Sequence, residues 1–109
     1  MDITASTTHL VTTLGFLDQS ASKNNADIRT RKPRAQHCRS VSNHFYRCSE
    51  SPQNPDMRRI DLMEAKRFED MANMEDEFIA SRIRSNARLA SVRVRCLVLL
   101  DELLALRER

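Results

Sequence analysis

Glycine is almost missing from this chain: among 109 residues the only one is Gly15. β-Sandwiches, barrels and α/β folds need many tight turns, and tight turns use glycine for backbone angles other residues resist. That scarcity excludes those classes. Tryptophan is absent and aromatic residues make up 5% of the sequence, too few for a self-sufficient core. No long hydrophobic run is present either. The apolar stretch His9 to Leu17 is short and is preceded by Asp2 with no basic residue, so it fits neither a secretory signal nor a membrane span. The first 22 residues hold no Lys or Arg, which argues against a mitochondrial presequence. Three cysteines, Cys38, Cys48 and Cys96, form an odd set with no signal peptide. They read as free thiols in a reducing, intracellular compartment. No nucleophile has an evident base partner and no glycine loop could cradle phosphate, so neither an enzyme nor a cofactor is expected.

Charge is abundant but uneven. Between Lys23 and Cys48 seven basic residues (Lys23, Arg29, Arg31, Lys32, Arg34, Arg39, Arg47) face one acid, Asp27. From Asp56 onward eleven basic and eleven acidic residues balance. The net charge of +3 therefore has its source in the stretch before the last half. Residues 23–55 also carry Asn, Ser and the three prolines, Pro33, Pro52 and Pro55, without an apolar period. They read as disordered.

The second half reads as one helix. Asn54-Pro55-Asp56 supplies a cap residue, a proline suited to the first helical position and an acid in the first turn. Beyond Pro55 no Gly or Pro interrupts, and strong helix formers dominate. A helix of about 50 residues is about 75 Å long. Its apolar stripe must be covered by the same chain, by a copy or by another protein. The stripe follows 3/4 spacing through Phe68, Met71, Phe78, Leu89, Val92, Cys96, Leu99, Leu103 and Leu106, broken by Glu75, Arg82 and Ser85. A second seam passes through Ile79, Ile83, Ala90, Leu97 and Leu104. The expected fold is all-α: a disordered N-terminal half (1–55, basic arm 23–48), then one long amphipathic helix (56–109) that forms a coiled coil or helical bundle. The expected interface is Phe78, Ile83, Leu89, Val92, Cys96, Leu99, Leu103 and Leu106.

Charge on this helix is segregated. Glu69, Asp70, Glu75, Asp76 and Glu77 form an acidic block, and Arg82, Arg84, Arg88, Arg93 and Arg95 a basic one. In a parallel homodimer Arg88 and Arg93 would meet as like charges. An antiparallel homodimer crossing near Ala80–Ser81 would set acid beside base and lay Leu97–Leu106 on Met57–Ala65 of the second copy. The expected partner is another helical protein or a second copy, antiparallel rather than parallel, and no membrane.

Nucleic acid is the second candidate partner, through Arg29, Arg31, Lys32, Arg34, Arg84, Arg88 and Arg95. Arg31-Lys32-Pro33-Arg34 is also similar to a nuclear import signal, which points to a nuclear or nucleocytoplasmic location. The leucines Leu97, Leu100, Leu104 and Leu106 have export-signal spacing, although any leucine-rich helix matches it. Cys38, His44 and Cys48 are metal-ligand types, but three ligands at this spacing do not complete a zinc site. Arg82–Arg95 followed by leucines, with Asn86, Ala90 and Ser91, loosely resembles the basic region of leucine-zipper transcription factors. It departs in a displaced arginine and in having only about two heptads after Cys96, where about three to four are needed. Met71-x2-Met74-Glu75-Asp76-Glu77-Phe78 resembles the short pro-apoptotic helix that docks on Bcl-type survival proteins. Glu75 stands where that motif needs a small residue, and Arg67 where it needs an apolar one.

Overall fold

The computed structural model describes residues 2–51 and 54–109. They form two α-helices, α1 (Ile3–Glu50) and α2 (Pro55–Arg107). The expected second helix is present. Asn54 Oδ1 accepts the Met57 N–H at 2.8 Å and Pro55 opens the helix, as the cap signals require.

The disordered N-terminal half is overturned. Ile3 to Glu50 is a single helix of 48 residues. Asp2 caps it, its Oδ1 accepting the N–H groups of Thr4 and Ala5 at 3.0 and 3.3 Å. The physical reason lies in a pattern that apolar counting misses. Buried or half-buried positions recur along α1 with strict 3/4 alternation: Ile3, Thr7, Leu10, Leu14, Leu17, Ala21, Asn24, Ile28, Arg31, Ala35, Cys38, Ser42, Phe45 and Ser49. From Ala21 onward the seam is mostly small or polar, so it is periodic without being apolar. Pro33 lies inside this helix on an exposed position. A mid-helix proline costs about 3 kcal/mol, which pairing with α2 must offset.

The chain divides into two compact units, one of 1–26 with 82–109 and the other of 27–81. Within each, a stretch of α1 pairs antiparallel with a stretch of α2. In the 27–81 unit, Arg31 meets Glu75 while Ser42 meets Ala65. Ala35, Cys38, Ala65 and Ala72 are buried, the last two completely at 0% exposure. Such small side chains let the two backbones come close. Ser42 Oγ consequently donates straight to the Ala65 carbonyl at 2.8 Å. Phe45 stacks on Phe68 with ring centroids 6.2 Å apart.

In the unit of 1–26 with 82–109, leucines replace alanines. Leu10, Leu14 and Leu17 of α1 share the half-buried seam, as do Leu89, Leu100 and Leu103 of α2, with Cys96 buried among them. Asn24, also buried, donates to Ser85 Oγ at 3.1 Å and to Asn86 Oδ1 at 2.9 Å. Asn86 in turn donates to Asn25 Oδ1 at 2.9 Å. Asparagine in a helical seam fixes register because sliding by a turn would strand its amide among apolar groups. Asp18 accepts from Arg93 Nε at 3.0 Å on the same helix pair.

Candidate interaction surface

The acidic block of α2 is met within its own unit by the basic stretch of α1. Arg31 Nη1 contacts both carboxylate oxygens of Glu75 at 3.1 Å, and its guanidinium stands 4.2 Å from the Phe78 ring centroid. Arg39 pairs with Asp76. Tyr46 donates to Glu69 Oε2 at 2.5 Å, and Lys66 pairs with Asp70 at 2.9 Å. That hydrogen bond to Glu69, with desolvation behind it, raises the Tyr46 phenol above its ordinary 10.0. Asp70 raises the Lys66 ammonium above 10.5. Glu75, an interruption in the apolar stripe, is explained by Arg31 at the facing seam position. It is half-buried there against α1, so the stretch resembling a pro-apoptotic helix does not present that residue to a groove.

The expected interface residues are distributed over different faces. Cys96 is buried, and Leu89 and Leu103 are half-buried, on the seam that α1 covers. Phe78 is half-buried beside Arg31 in the other unit. Ile83, Val92, Leu99 and Leu106 are exposed, Leu99 at 49%. The intramolecular seam of α2 thus uses every second position of the predicted stripe. Where Met71 and Leu99 of that stripe are exposed, Ala72 and Leu100 on the neighbouring row are covered instead, and Ile79 is buried beside half-buried Phe78.

The basic candidates also separate. Arg29, Lys32 and Arg34 are exposed on α1, whereas Arg31 is engaged with Glu75. On α2, Arg84, Arg88 and Arg95 are exposed at spacings of four and seven, which put them on one stripe of the helix. Cys48 Sγ lies 3.6 Å from His44 Nε2, while Cys38 is buried in the seam. Among the described residues no cluster of three His, Cys, Asp or Glu could hold a metal ion. Among them, too, no helix is long and apolar enough to cross a membrane.

The feature that sequence reading missed is a groove. In the unit of 1–26 with 82–109, an open apolar furrow of 620 Å³ is lined by Ala5, Ser6, His9 and Leu10 of α1 and by Leu99, Glu102, Leu103 and Leu106 of α2. Half its wall comes from the N-terminal stretch, whose role becomes visible only once that stretch is helical. Comparison with protein-family models, curated proteins and solved structures returns no match for this chain.

Proposed function

We propose that this chain is a non-enzymatic helical interaction protein that acts by docking with another helical protein or with a second copy. One observation carries the reading. After α1 has covered its seam in the unit of 1–26 with 82–109, α2 still exposes Val92, Val94, Leu97, Val98, Leu99 and Leu106. Large apolar groups gathered on one helix and left in water mark an association surface. A second copy would pair antiparallel, crossing near Ala80–Ser81. Exposed Leu99 and Leu106 would then find cover on Met57, Ile60 and Met63 of the second copy, which are exposed as well. A nuclear or nucleocytoplasmic location belongs to the same proposal and rests on exposed Arg29, Lys32 and Arg34.

The test uses the full chain. Light scattering at about 100 µM, where a micromolar complex is saturated, should report self-association or leave a monomer that binds helical peptides. Leu99→Asp with Leu106→Asp should remove either behaviour while leaving helical circular dichroism intact, because both side chains are about half exposed. A monomer that binds no helical peptide, or association indifferent to the double substitution, defeats the proposal.

A further inference from the structure

Building on that reading, we infer that the groove in the unit of 1–26 with 82–109 seats a third helix from a different protein, amphipathic and acidic along one edge. The floor is apolar: Leu10, Leu99, Leu103 and Leu106 line it. Residues seven apart stand two turns along the same face of a helix. Val92 therefore extends the row of Leu99 and Leu106 on α2. Phe16, 64% exposed, extends the row of His9 on α1. The rim follows by the same rule. Glu102 lines the groove, and Arg95 and Arg88 precede it in its row, both exposed. A helix laid in this furrow thus meets leucines below it and, along one edge, Glu102 followed by Arg95 and Arg88, so its acids must lie toward the Arg88–Arg95 end and away from Glu102.

Charge decides the occupant. No acid lies between Arg82 and Arg95 on α2. Arg93 there is engaged by Asp18 of α1 at 3.0 Å. A second copy is poorly equipped to answer Arg88 and Arg95. Its acidic block is already drawn on by Arg31 at Glu75, Arg39 at Asp76 and Lys66 at Asp70. A nucleic-acid strand would answer the arginines but would leave Leu99, Leu106 and Phe16 in water. An acid-edged apolar helix satisfies both, with burial supplying affinity and the rim arginines supplying choice of partner.

Two dye-labelled synthetic helical peptides of about three heptads, with leucine at a and d, serve as probes. One carries glutamate at e and g, the other lysine; like charges at these positions keep each peptide from pairing with itself. Fluorescence anisotropy with the full chain should show the glutamate peptide binding about tenfold tighter or more. Arg88→Glu with Arg95→Glu, both exposed, should invert that preference, and Leu99→Asp with Leu106→Asp should abolish binding of both. Equal binding of the two peptides overturns the inference, as does a charge-reversed chain that keeps the original preference. Duplex DNA binding that collapses between low and physiological salt, lost in the Arg88→Glu, Arg95→Glu chain while neither peptide binds, reassigns these arginines to phosphate. Self-association with no peptide binding also overturns it but leaves the broader proposal standing. No association of any kind removes both.

Discussion

The two units solve the same problem, how to pair two helices, with different side chains. The 27–81 unit uses alanine, serine and cysteine, which allow close approach, and completes the contact with Arg31–Glu75, Arg39–Asp76 and Tyr46–Glu69. The unit of 1–26 with 82–109 uses leucines and an asparagine cluster, and α2 there carries more apolar surface than one neighbouring helix covers. The first arrangement is suited to holding the chain together. Both leave apolar side chains of α2 exposed, Met57, Ile60 and Met63 in the first and Val92, Leu99 and Leu106 in the second, but it is in the second that they adjoin an apolar groove. If the proposed docking holds, binding and the packing of α1 on α2 draw on different residues of the same two helices, and substitutions should separate them.

The largest expected effect tests close approach. Ala65→Leu inserts a branched side chain where exposure is 0% and where Ser42 Oγ reaches the backbone carbonyl at 2.8 Å. Overpacking of this kind costs about 1–3 kcal/mol, read as a lowered urea midpoint by circular dichroism. The matched change, Ala90→Leu, falls on an exposed position of α2 in the other unit. It should leave stability within about 0.5 kcal/mol. Equal costs at the two positions would mean that Ala65 is not held in a close helix–helix contact.

A smaller effect is expected at the ion pair. Glu75 is 18% exposed and Arg31 34%. Arg31→Met leaves the carboxylate half-buried without its guanidinium, and fully buried cases cost about 3–5 kcal/mol. Partial exposure reduces this to about 1–2 kcal/mol, because water screens what the protein no longer pairs. Replacing both Arg31 and Glu75 by Met should recover most of that loss, since removing a whole pair spares the desolvation of both charges. A double variant less stable than the single one would mean that Glu75 without its guanidinium carries no penalty, so that burial of the unpaired carboxylate is not what the single substitution costs.

How far the sequence shows this depends on the chemistry of each seam. The start of α2 is legible because Asn54 and Pro55 act locally, through one side-chain oxygen and one fixed backbone angle. α1 is not legible as an apolar pattern. Its seam passes through Asn24, Arg31, Ser42 and Ser49; the first three are acceptable there because of what α2 places opposite or alongside, Asn86 for Asn24, Glu75 for Arg31 and the Ala65 carbonyl for Ser42, while Ser49 donates to the Tyr46 carbonyl of its own helix. Gly15 and Pro33, both weak in helices, add to the appearance of a loop. A period sought in buried small residues as well as apolar ones would have found it. The charge blocks were legible, but their pairing was not. The acids of α2 point to any basic helix, and the nearest one turned out to be the chain's own N-terminal half. The groove depends on that same helix and could not be read before it.

The smallest effect is spectroscopic and isolates one contact of the 27–81 unit. Tyr46 is the chain's single tyrosine and tryptophan is absent, so the phenolate absorption band reports one group. Its hydroxyl donates to Glu69 at 2.5 Å. Ionising the phenol would break that bond and place two negative charges together, which is why its titration lies above 10.0; desolvation and Asp70 act in the same direction, and Lys66 opposes them. Folding therefore favours the protonated form. The resulting stabilisation is fully present below the ordinary tyrosine pKa and is lost as pH rises through the higher folded value. Two substitutions should move the band in opposite directions. Glu69→Gln removes the charge while keeping an acceptor, and should lower the titration midpoint toward 10.0. Lys66→Met removes the opposing cation and should raise it. Midpoints that coincide with wild type in both variants, or that shift in the same direction, would show that Tyr46 does not hold its proton against Glu69, and the polar seal assigned to this unit would lose that contact.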